Sequence, residues 1–157
     1  MIADIEGPIG KAVEEVFSTM LNSTVRPDNQ ATLPPPGEPQ LAGCVSFVGQ
    51  FSGVVRIYTS LAQACGMTCQ LLGLEEKDLD NAMVNDAMGE VTNMIGGSFK
   101  SHLCDCGYPC RLSIPSIVRG TNFKFEPVPN TTQMTMGYLS EGGTLVVEVV
   151  LKETKAK

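Results

Sequence analysis

Apolar residues near the start of the chain recur at three- and four-residue steps: Ile2, Ile5, Ile9, Val13, Val16, Phe17, Met20 and Leu21. That spacing is a helical stripe, and Pro8 stands where a first turn tolerates a missing N–H, so a helix is predicted over about 7–21. The periodicity then stops. Residues 27–40 carry Pro34, Pro35, Pro36 and Gly37, cannot donate a ladder of hydrogen bonds, and are read as an extended surface loop within the same domain. Two β-rich runs follow, 43–49 and 54–59, around Gln50, Phe51, Ser52 and Gly53, the pattern of a hairpin. Ser60 is placed to cap a helix over 61–72, with Gly73 at its end. A third, longer helix is expected from about Glu76 or Lys77. Beyond Cys110 the pattern turns β again, over 111–118, a short run at 122–125, 134–139 and 144–152, with Ser140, Glu141, Gly142 and Gly143 as a turn. The predicted order is α-β-β-α-α-β-β-β. Short hairpin loops imply antiparallel pairing, so the fold class is α+β, an antiparallel β-sheet with helices packed on one face.

The chain has 157 residues, 43% of them hydrophobic, enough for one domain with its own core and no need of metal or disulfide. A net charge of −6 with no basic run argues against nucleic acid, whose binding rests on Lys and Arg neutralising phosphates. The most apolar run, 145–151, is broken by Glu148 and falls far short of the ~20 residues of a membrane span. Asp4, Glu6, Lys11, Glu14 and Glu15 stand where an export signal would need a basic start and an apolar core, so a cytoplasmic protein with reduced cysteines is expected.

The third helix has two faces. At roughly 100° per residue, Glu90, Asn93 and Gly97 fall within about 40° of Asp86, opposite Val84, Ala87, Val91, Ile95 and Ser98. Gly89 and Gly96 lie beside the polar stripe. Each helix-interior glycine costs about 1 kcal/mol relative to alanine, so this bare surface suits the close approach of another protein better than simple solvation. A solvated acidic face, with Gly96 and Gly97 ending the helix, is the competing reading.

The run Asp86-x-x-x-Glu90-x-x-Asn93, followed by Met94-Ile95-Gly96-Gly97 and by Leu112-Ser113-Ile114-Pro115, resembles the signature of the CheC/CheX/FliY phosphatases of bacterial chemotaxis. Twenty-one residues separate Asn93 from Pro115, one fewer than that pattern has. A second Glu-x-x-Asn on the first helix is absent, and a single copy is similar to CheX rather than to the two-motif CheC proteins. The resemblance implies a phosphatase acting on the aspartyl phosphate of a CheY-like response regulator. It further implies that Asn93 orients water, that Glu90 docks to the regulator's active-site lysine, and that the chain forms a homodimer with one site per subunit, the C-terminal strands supplying the pairing edge. Asp86, Gly89, Gly97 and Pro115 are then partner-binding or shaping residues. The chain binds no cofactor of its own, Mg²⁺ belonging to the regulator's site.

Two other readings compete. A non-catalytic module would dock the receiver without accelerating hydrolysis, although retention of the Asn93 carboxamide favours catalysis. His102, Cys104, Cys106 and Cys110 supply four donors for a zinc-bound interaction domain, but the spacing lacks paired Cys-x₂-Cys knuckles. Cys44, Cys65 and Cys69 fall on apolar faces and are expected to pack in the core.

Overall fold

The structure, a computed structural model, describes residues 5–154, which leaves Ile2 and Asp4 outside it. The first apolar stripe forms α1 (Glu6–Thr19), burying Ile9, Ala12, Val13, Val16 and Phe17. The helix ends before Met20, which is therefore exposed, while Leu21 turns back into the core. Pro27, expected to open the proline-rich loop, instead ends a short strand, β1 (Val25–Pro27). This strand pairs with the edge of the sheet, the one setting where a strand proline loses no ladder bond. At the loop's other end Gln40 already belongs to a strand and is buried.

The hairpin consists of β2 (Gln40–Gly49) and β3 (Phe51–Ser60). Next comes α2 (Leu61–Leu72) at its predicted bounds. Ser60 accepts a hydrogen bond from the Gln63 amide, and Gly73 closes the helix in a left-handed conformation at φ 68°. The segment Glu76–Asp78 is only a 3₁₀ turn. The third helix, α3 (Asn81–Asp105), starts later than expected because Asp80 caps it, its carboxylate accepting from the Met83 amide at 2.8 Å. Gly96 and Gly97 do not end it. The predicted strand at 111–118 is two strands, β4 (Cys110–Leu112) and β5 (Ser116–Gly120), separated at Pro115. Residues 122–125 are not a strand. The chain closes with β6 (Thr132–Ser140) and β7 (Gly143–Glu153).

All pairings are antiparallel, in the order β1-β6-β7-β3-β2, with β4 and β5 both on the far side of β2. Alternate strand residues point to opposite faces. Leu41, Val45, Val55, Ile57, Val147 and Val149 pack against all three helices, so the core lies between the helical layer and one face of the sheet. On the other face Ala42, Tyr58 and Val146 are covered by Ala31 and Leu33 of the proline-rich segment and by Phe123. Phe123 and Phe125 both meet the Tyr58 ring edge-on. Glu148, the charge inside the apolar run, is only 2% exposed there. It accepts from Arg56 at 2.9 Å, Tyr58 at 3.1 Å and Gln133 at 2.8 Å. Among the described residues no helix is long and apolar enough to cross a membrane.

Candidate functional site

α3 owes its position to two glycines. A Cβ on Gly43 of β2 would run into Thr92, and a Cβ on Gly96 would lie 2.6 Å from Val45 Cγ1. Their absence lets the helix lie close on β2, with Val84, Met88, Val91, Ile95 and Phe99 buried. Phe99 completes the contact edge-on against Phe47, ring centres 5.9 Å apart. Thr92, fully buried, turns its hydroxyl onto the Met88 carbonyl, so the neighbouring Asn93 is forced to the outside.

The outer face then carries Asp86, Glu90 and Asn93, all exposed. Together with Asn85, Gly89, Pro115 and Ile117 they line a shallow groove of about 430 Å³ between α3 and the β4–β5 junction. The motif residues and the distant proline thus meet in one concavity. Asp86, Glu90 and Asn93 make no side-chain hydrogen bond or ion pair among the described residues, so their polar atoms are available to a visitor. Nothing stands within 4 Å of where a Cβ on Gly89 would be, leaving the groove's floor open.

Pro115 does more than shape a strand, since it forms the groove's opposite wall. The wall is set by the break between β4 and β5. Ser113 bridges that break by accepting the Ser46 amide on its hydroxyl at 2.9 Å and donating its own amide to the Ser46 carbonyl at 2.8 Å. Gly96, expected beside the polar stripe, faces the core instead. Gly97 has open space around it but lies outside the groove lining. Asn85 and Ile117 were not singled out by sequence, although each stands within two residues of one that was. Arg119 was missed as well: it donates from Nε to Asn85 Oδ1 at 3.0 Å and from Nη2 to the Asn81 carbonyl at 3.3 Å.

The donor set of the zinc reading is not gathered. Among the described residues no group of three or more His, Cys, Asp and Glu is arranged to hold a metal ion. His102 Nε2 lies 3.5 Å from Cys106 Sγ, and Cys110 is buried. Burial pushes the Cys44, Cys65 and Cys110 thiols up, which disfavours the thiolate that metal binding and redox chemistry need. Cys65 packs against the main core, and Cys44 against the smaller cluster on the sheet's other face.

Comparison with known proteins shows the family. A family model described as chemotaxis phosphatase CheX matches residues 41–138, which include the whole of α3 and both walls of the groove. No curated protein sequence matches the chain. Among solved structures, a chemotaxis protein CheX from Vibrio vulnificus is 24% identical with a TM-score of 0.81, covering 96% of this chain and 97% of that one. A CheC-like superfamily protein from Shewanella sp. PV-4 is 26% identical, also at 0.81, covering 97% and 99%. A CheX–CheY–BeF₃–Mg²⁺ complex from Borrelia burgdorferi contains a chain 19% identical at 0.75, covering 97% and 100%.

Proposed function

This chain belongs to the CheX family of chemotaxis phosphatases, and on that premise we propose that it hydrolyses the aspartyl phosphate of a CheY-like response regulator docked on the α3 groove. The observation that carries the reading is the convergence of Asp86, Glu90, Asn93 and Pro115, drawn from two segments of sequence, on one open groove. The Borrelia relative bound to CheY supports the choice of partner.

The substrate is an acyl phosphate, held with Mg²⁺ in the regulator's own site. Hydrolysis then needs a water placed in line with the leaving oxygen and charge stabilised on the phosphoryl oxygens, both matters of position. Asn93 suits both needs, because its Oδ1 accepts a hydrogen bond from water, its Nδ2 donates to a phosphoryl oxygen, and it does not ionise near neutral pH. Its role is orientation rather than proton abstraction. Glu90, one turn earlier and without a partner among the described residues, is the acceptor for the regulator's active-site lysine. Asp86 adds a contact farther along the helix. No cofactor of this chain enters the reaction.

Decay of a phosphorylated CheY-like receiver with Mg²⁺, followed with and without the protein, tests this directly. The parent accelerates decay, and Asn93→Ala slows it by about 10²–10³-fold, the loss expected for one placed polar group at a transition state. Because Asn93 is exposed, its removal shifts stability by less than about 0.5 kcal/mol. Binding without acceleration in the parent would replace the phosphatase with a docking module.

A further inference from the structure

We infer that Asn85 is a second docking carboxamide of the groove, locked by Arg119 so that it presents its N–H₂ group to the partner. The inference rests on the phosphatase reading and names a contact beyond the Asp86–Glu90–Asn93 motif. Asn85, Gly89 and Asn93 are spaced four residues apart and form one row along α3, turned toward β5. Gly89, with no atom above it, leaves the line between the two carboxamides unobstructed.

An amide can be placed either way round, and its neighbour decides. Here the neighbour is Arg119, whose Nε–H is purely a donor, so the atom 3.0 Å from it must be the amide oxygen. Both Asn85 N–H bonds then remain unused among the described residues. Arg119 is itself anchored by the Asn81 carbonyl, which fixes the pair against the first turn of the helix. The outcome is a pre-oriented double donor at one end of a groove whose two carboxylates, Asp86 and Glu90, only accept. A partner whose phosphorylated site is rimmed by carboxylate and carbonyl oxygens supplies the matching acceptors. Asn85 stands two helical turns, about 12 Å, from Asn93, so it touches the rim and not the reacting phosphorus. Arg119 acts through Asn85 and is a positioning residue.

The test compares Asn85→Ala, Asn85→Asp, Arg119→Ala and the Asn85→Ala/Arg119→Ala double variant. It reads steady-state hydrolysis of the phosphorylated receiver and, separately, affinity for the same receiver loaded with beryllofluoride and Mg²⁺. Asn85→Asp is decisive, because it keeps the oxygen that Arg119 holds and exchanges the donors for an acceptor. Its KM and Kd should rise about tenfold, the worth of one hydrogen bond to a charged acceptor, with kcat within twofold and melting temperature unchanged. Arg119→Ala should give a smaller rise of the same kind, about threefold, and none once Asn85 is alanine. Parent-like KM and Kd for Asn85→Asp would overturn the inference alone, since they would leave Asn85 only its link to Arg119. A parent that binds without hydrolysing would sink the phosphatase reading, while the Kd comparison still decides the inference. A parent that neither binds nor hydrolyses would overturn both.

Discussion

Glycines that look alike in the sequence do opposite things in α3. Gly89 has open space where a side chain would be, whereas a methyl at Gly96 would press on Val45. Gly89→Ala should raise stability by about 1 kcal/mol through helix propensity alone, yet weaken dephosphorylation by filling the groove floor. Gly96→Ala should lower stability by about 1–3 kcal/mol through overpacking. Urea unfolding beside the receiver-decay assay reads both, and a Gly89→Ala protein with parental activity would show that the bare surface is not used. The 3.6-residue period sorted Asp86, Glu90 and Asn93 correctly onto the outer face, because side chains that large follow the helix phase. It misassigned Gly96, which stands close to the boundary between faces and has no side chain to reveal its preference. Asn85 and Arg119 were unreadable for a different reason: their link joins residues 34 apart, and only the return of β5 alongside α3 creates it.

At the scale of elements, α2 was legible to the residue because Ser60 and Gly73 are both strong end signals. The start of α3 was not, since the acidic run Glu75, Glu76 and Asp78 imitates a first turn while the capping geometry belongs to Asp80. Asp80→Ala should therefore cost about 1 kcal/mol, measurable as a lower melting temperature. Strand β1 was hidden by its length of three residues and its proline. The division of β4 from β5 was hidden because β-favouring residues stand on both sides of Pro115, although a residue without an N–H cannot continue the ladder. Glu148 ties β3, β7 and β6 together through Arg56, Tyr58 and Gln133 on the face away from the helices. Glu148→Ala removes the shared acceptor of three donors and should destabilise by about 3 kcal/mol, far more than a surface glutamate would. Equilibrium denaturation of the two kinds of variant checks it.

For the molecule as a whole, the α+β class and the one-sided helical layer followed from hairpin turns and helical stripes, while strand order could not, because pairing partners lie far apart in sequence. That order narrows where the C-terminal strands can offer a subunit edge. Strand β7 is paired along both sides and offers none, whereas β6 meets β1 only at 138–140 and leaves 132–136 without a strand on that side, so a homodimer that extends the sheet has the β6–β1 edge or the β4–β5 side to use. Sedimentation equilibrium at micromolar concentration should give twice the monomer mass; a single-subunit mass would overturn the dimer that the family resemblance implies. The tyrosines set an alkaline limit. Burial, reinforced by the charges of Glu6 and Glu14, pushes Tyr138 up to about 12, and burial likewise pushes Tyr58 up. A raised pKa means that the unfolded chain gives up the phenolic proton first. The tyrosine contribution to stability is therefore intact below about pH 10 and falls as the pH climbs toward 12, and Tyr138→Phe should flatten that part of the decline in pH-dependent unfolding curves. The break at Ser113 has a consequence of its own. The Ser46 amide is held there by a hydroxyl instead of a ladder carbonyl, beside the groove. In deuterium that amide should exchange faster than those of its strand neighbours, and an occupied groove should slow it, which makes one backbone proton a built-in reporter of docking.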